Sequence, residues 1–122
     1  MLPAPHRLRR REEFARAVRG RRSGSRLVVV HVRASQPTVP QCRVGFVVSK
    51  AVGNAVTRNR VKRRLRAITA DLLPRLPEGH DLVVRANPAA ADASYAALEG
   101  DLTRLVDKAV GAAVSGAAGR DD

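Results

Sequence analysis

Residues 44–68 constrain the fold of this chain more than any other stretch. They read VGFVVSKAVGNAVTRNRVKRRLRAI: an apolar run from Val44 to Ser49, a glycine turn at Gly53-Asn54, then a helical pattern. Val61, Leu65, Ile68 and Leu72 recur at i, i+4, i+7 and i+11, which makes one apolar stripe along a helix. Lys50, Arg58, Arg60, Lys62, Arg63, Arg64 and Arg66 add seven positive charges with no acid among them. Only the stripe can be buried. Like charges at this density repel and weaken an isolated helix, and a polyanion relieves that repulsion. A merely solvated helix interleaves both signs; this one does not.

The imbalance extends over half the chain. Residues 1–70 hold 18 Lys and Arg against two acids, Glu12 and Glu13, and no acid occurs between Phe14 and Ala70. Residues 71–122 hold 5 against 9, so the net charge of +12 is concentrated in the first half. Such a field points to nucleic acid or an anionic membrane surface. Membrane is the weaker choice: no apolar run approaches spanning length, and no signal-peptide core is present. Only Lys50, Lys62 and Lys108 are lysines, and the arginine fork suits bidentate phosphate contacts. The lone Cys42 excludes an internal disulfide and points to a reducing compartment, the cytoplasm.

The 122 residues suffice for one domain. With aromatics at 2%, Val, Leu and Ala must build its core. Residues 1–11 read as a basic, extended N-terminal arm with Leu8 folding back, and 12–110 as a nucleic-acid-binding α/β domain. A helix is expected from Glu12 to Arg19, its two acids favoured by the helix dipole, and then a basic loop from Arg21 to Arg26. Leu27–Val32 reads as a strand buried on both faces, Ser35–Gln41 as a surface loop, and Val44–Ser49 as a second strand. The basic helix runs from Ala55 or Val56 to Leu73 and stops at Pro74. Asp81–Ala86 is a third strand. Asp92 or Ser94 is expected to cap a last helix striped by Tyr95, Leu98, Leu102, Leu105 and Ala109. Residues 111–122 read as a disordered C-terminal tail. The fold class is α+β, a sheet with helices packed on it.

The segment GNAVTRNRVKRRLR, with Arg58-Asn59-Arg60 at its centre, resembles the signature of the bacterial ribonuclease P protein subunit. VGFVVSK and RLRRREEFARAV are similar to that family too, and the likeness covers roughly residues 6–110. It implies a single-domain α-β sandwich in α-β-β-β-α-β-α order, with the basic helix in a left-handed βαβ crossover. Handedness rules alone favour a right-handed one. It also implies a function: binding a catalytic RNA and the 5′ leader of precursor tRNA to assist Mg²⁺-dependent endonucleolytic removal of the leader. In that reading the RNA carries the chemistry and most of the Mg²⁺, the protein alone is inactive, and neither a membrane nor a small-molecule substrate is involved.

Two surfaces follow from the resemblance. Arg58, Asn59, Arg60, Lys62, Arg63 and Arg66 would face the catalytic RNA: the cations neutralise phosphates, and Asn59 offers a donor and an acceptor to a base edge or 2′-hydroxyl. Asn59 bracing the turn is the structural alternative. Phe14, Val18, His31, Ser49 and Lys50 would line a leader-binding cleft. Val18 and His31 stand where the family often has aromatics, so this cleft stacks bases less and relies more on arginine and apolar contact. Phe14 serves equally as a core residue.

Catalysis by the chain itself is not indicated. His6, His31, His80 and Cys42 lack metal-ligand spacing. The adjacent Glu12 and Glu13 suit dipole capping better than holding Mg²⁺, and no phosphate-binding glycine loop is present. The alternative function is a small ribosomal-type structural RNA-binding protein without leader recognition. A DNA-binding helix-turn-helix is disfavoured because strands flank the basic helix.

Overall fold

The computed structural model describes residues 2–35 and 39–119, with side chains to 111. The elements are α1 (Arg11–Val18), β1 (Arg21–Gly24), β2 (Val28–Ala34), β3 (Arg43–Val47), α2 (Ala55–Leu72), β4 (His80–Ala86) and α3 (Tyr95–Gly119). This is the α-β-β-β-α-β-α order. The sheet runs β1-β2-β4-β3, with β1-β2 and β2-β4 antiparallel and β3-β4 parallel. α2 supplies the crossover that a parallel pair requires.

Side chains alternate across the sheet with a period of two. Val28, Val30 and Val32 of β2, Val44 of β3 and Leu82 and Val84 of β4 point to one face. There they meet Val61, Leu65, Ile68 and Leu72 of α2 and Leu98, Leu102 and Leu105 of α3 in the main core. The α2 stripe anticipated from spacing is the buried one. α1 covers part of the opposite face, where Leu8, Ala17 and Val83 form a second, smaller cluster with half-buried Phe14 and Val47.

Local signals set the ends of these elements. The Asn54 side chain accepts from the Thr57 N–H at 2.9 Å and caps α2, while Pro74 sits in a 3-10 turn, Leu73–Arg75, that ends it. Ser94 caps α3 by accepting from the Ala97 N–H at 3.1 Å. Glu13 accepts from the backbone N–H groups of Arg9 at 3.1 Å and Arg10 at 3.0 Å, the capping predicted for the acidic pair.

Three expectations need correcting. The 1–11 arm is not simply extended: a 3-10 turn spans Ala4–His6, Leu2 and Leu8 are buried, and Arg7 bridges to Val44 along the open edge of β3. Two leucines spaced around a proline-containing turn give the arm enough apolar surface to dock. Arg21–Gly24 is a strand, not a loop. Only Ser23 of its four residues turns into the core, so its sequence shows no apolar alternation, and pairing with β2 creates it. α3 continues to Gly119 through the expected tail, consistent with the high helix propensity of its alanines. Residues 36–38 of the Ser35–Gln41 loop and 120–122 of the tail lie outside the described residues.

Candidate nucleic-acid interface

On α2, Asn59, Lys62, Arg63 and Arg66 lie opposite the buried stripe and, with Val56, line one surface groove. Arg58 and Arg60 flank this face instead of occupying its centre. The Nε of Arg58 is buried without a hydrogen-bond partner, and Arg60 Nη2 donates to the Ala91 carbonyl at 3.0 Å. Arg64 Nη1 donates to the Ala93 carbonyl at 3.1 Å. These two bonds fasten α2 to the turn before α3. Asn59 is exposed and its side chain makes no hydrogen bond among the described residues; Asn54, not Asn59, braces the helix start.

None of the seven cations from Lys50 to Arg66 is in an ion pair among the described residues. The ion pairs there use Arg43, Arg75 and Arg104. A fold with nine acids after residue 70 thus leaves its most basic helix uncompensated.

Sheet register organises the second surface. On the α1 face, Arg43, Asp81 and Arg33 form one row across β3, β4 and β2. Gly45, Val83, His31 and Arg22 form the next, and Val47, Arg85, Val29 and Gly24 the third. α1 covers the first two rows. A Cβ on Gly45 would overlap the Phe14 ring, so the missing side chain lets the phenyl approach the β3 backbone closely. Phe14 is half-buried, both packed on the sheet and partly open. The third row is the open strip: Val47 and Val29 are half-buried, Arg85 is exposed, and β3 leads from it to exposed Ser49 and Lys50.

His31 sits at the boundary, only 2% exposed, with neither ring nitrogen hydrogen-bonded. Burial lowers its pKa, and the charges of Arg85 and Arg22 lower it further, against a weaker pull from the Val18 carbonyl; the ring is neutral near pH 7. Register and proximity therefore bring Phe14, Val18 and His31 together under α1. Ser49 and Lys50 stand apart, at the end of the open strip. Sequence reasoning missed Arg22 and Arg85, whose sheet partners are needed to see that they flank His31.

Burial and the Asp81 charge push the Cys42 thiol up to about 12. Among the described residues, no three His, Cys, Asp or Glu side chains are grouped to hold a metal ion, and no helix is long and apolar enough to cross a membrane.

Fold and surface together define a class: a small α+β nucleic-acid-binding domain with an unpaired basic helix and an arginine-flanked strip of open sheet. The model of the family Ribonuclease P matches residues 2–110. The ribonuclease P protein component of Streptomyces bikiniensis is 54% identical over 119 residues, covering 91% of this chain and 97% of that one. That of Kocuria rhizophila is 56% identical over 111 residues, covering 90% and 96%. Among solved structures, the RNase P protein of Staphylococcus aureus superposes with a TM-score of 0.76 at 27% identity, covering 85% of this chain and 94% of that one. The protein from Thermotoga maritima gives 0.73 at 26%, covering 84% and 96%. The chain belongs to the ribonuclease P protein family.

Proposed function

We propose that this chain is the protein subunit of a ribonuclease P ribonucleoprotein, binding the catalytic RNA through α2 and the 5′ leader of precursor tRNA along the open sheet strip. The observation that carries this reading is the absence of any carboxylate partner, among the described residues, for the cations from Lys50 to Arg66. In a small domain those charges raise the cost of folding, and a polyanion is the ligand that removes it.

The protein's part is electrostatic and positional. Lys62, Arg63 and Arg66 neutralise RNA phosphates, with Asn59 available to a base edge or 2′-hydroxyl. Val29, Val47 and the Phe14 edge give the leader an apolar floor; Arg22, Arg85 and Lys50 take its phosphates. The precursor carries a leader and the product does not, so the strip favours substrate over product. Hydrolysis of the phosphodiester at the mature 5′ end belongs to the RNA. Mg²⁺ would be held there by the RNA, where it would supply an activated water and stabilise charge on the leaving oxygen. The protein's carboxylates suit it poorly: Glu12 is single and exposed, and Glu13 is engaged by Arg9, Arg10 and Arg43. The complex would work in the cytoplasm.

The test is a titration of protein into its RNA with precursor tRNAs bearing a long or a one-nucleotide leader. Protein alone should cleave neither. In the complex, the protein should improve affinity mainly for the long-leader substrate. An equal gain for both would remove the leader site and leave a charge-screening RNA binder of the ribosomal type. Cleavage by nuclease-treated protein alone would overturn the reading.

A further inference from the structure

Val56 is 74% exposed, and only it and Tyr95 are exposed large hydrophobics among the described residues. A single exposed valine is ordinary on a protein surface; the neighbours of this one are not. It occupies the first turn of α2 and lines a groove with Asn59, Lys62, Arg63 and Arg66. Val56, Asn59, Arg63 and Arg66 follow i, i+3, i+7 and i+10, so the valine heads the same outward stripe as the cations. The fold gains nothing from it there: the side chain reaches no core cluster, and an alanine would serve a solvated helix turn better than a β-branched residue.

We infer that Val56 is an apolar anchor for RNA, packing against the face of an unstacked base or a ribose while the cations around it hold the adjoining phosphates. The inference rests on α2 being the RNA-binding face. Charge decides between occupants. A protein partner would have to present an apolar spot ringed by several acids, whereas RNA carries flat apolar base and sugar faces within a few ångströms of phosphates at every nucleotide. The anchor contributes shape and register, which phosphate contacts alone do not.

The experiment measures binding of the full-length protein to its ribonuclease P RNA over a salt series, with Val56→Ala, Val56→Thr, Arg63→Ala and thermal melts of each. Val56→Ala should weaken binding about tenfold, the worth of two covered methyl groups. The loss should be equal at every salt concentration, because no phosphate contact is removed. Val56→Thr keeps the branched shape and should lose affinity on polarity alone. Arg63→Ala should instead flatten the salt dependence by about one phosphate contact. All should melt as the parent does. Wild-type affinity in both Val56 variants, with Arg63→Ala impaired, overturns the anchor and keeps α2 as the RNA face. Wild-type affinity in all three overturns the reading of α2 itself. A lower melting temperature in Val56→Thr assigns the valine to the fold and removes the proposal. So does intact RNA affinity accompanied by lost self-association in sedimentation.

Discussion

Arg43 holds Asp81 with two nitrogens, Nε to Oδ1 and Nη2 to Oδ2, both at 2.9 Å, and gives its remaining Nη1 to Glu13 at 2.8 Å. Ser35 adds a hydroxyl to the same aspartate at 3.0 Å. One guanidinium thereby joins α1, β3 and β4, and Ser35 brings in the end of β2. It is the place where the acid-poor half of the chain spends an acid from the other half.

Arg43→Ala should destabilise the domain by roughly 3–5 kcal/mol, because it leaves the Asp81 carboxylate buried without its cation. Urea unfolding measures this. Asp81→Asn with Arg43 intact should cost less, since the amide still accepts from the guanidinium. If both variants unfold at the parent's urea midpoint, the network contributes nothing to stability.

Stability should fall on the acid side through Glu13. Burial opposes its ionisation, but the N–H groups of Arg10 and Arg9 and the Arg43 guanidinium outweigh that and hold its pKa below the ordinary value. A depressed carboxylate contributes stability above its unfolded pKa, near 4.3, and loses it as pH drops through the folded value. Glu13→Gln should reduce stability at pH 7 and flatten the pH dependence below about 4.5. A parallel pair of stability curves would rule out this linkage.

His31 supplies a second, higher window. Its folded pKa lies below the unfolded 6.5, so unfolding takes up a proton, and stability present above about 6.5 is lost as pH falls through the folded value. His31→Phe should abolish that slope. Burial is the larger cause of the lowered pKa, but phosphate held by Arg22 and Arg85 offsets the part due to their charges, so leader binding should draw in protons at pH values below about 6.5. Calorimetry in buffers of different ionisation enthalpy detects the uptake; the phenylalanine variant should show none.

Gly45→Ala should cost about 1–3 kcal/mol through overpacking against the Phe14 ring and displace α1 from the sheet. Leader discrimination should fall with it, while affinity for the catalytic RNA, carried by α2, stays near the parent's. Equal losses of both would mean that the two surfaces are not separate.

Replacing Lys62, Arg63 and Arg66 together with Ala should leave the melting temperature unchanged or higher, because repulsion is relieved. The slope of log affinity against log salt should become shallower by about 2–3. This trio is a cleaner probe than Arg58 and Arg60. The sequence places both of those off the apolar stripe, but the structure puts the Nε of one out of water and bonds the other to Ala91.

Legibility in the sequence followed locality. α2 was readable because its stripe and its charge are both periodic within one helix, and the turn residues Asn54 and Pro74 mark its ends. Phe14 and the α3 stripe from Leu98 to Ala109 were readable for the same reason, but Tyr95, expected to head that stripe, is exposed at the first turn of α3 instead of packed in the core. β1 was not, because Arg21-Arg22-Ser23-Gly24 becomes a strand only by pairing with Val29–Val32. The bond between Arg43 and Asp81 spans 38 positions, and no spacing rule links them. Arg22 and Arg85 became candidates only when the register set them on the same face as His31.

The strand order has a consequence for the newborn chain. β2 and β3 follow one another in sequence, yet β4 lies between them, so until residues 80–86 have left the ribosome β2 can pair only with β1, and β3 has no strand to pair with. Until then β3 and the cationic helix that follows it lack the parallel partner that fixes their place. The last strand of the sheet to be made is the one that joins β2 to β3, so the sheet is completed only once β4 has emerged.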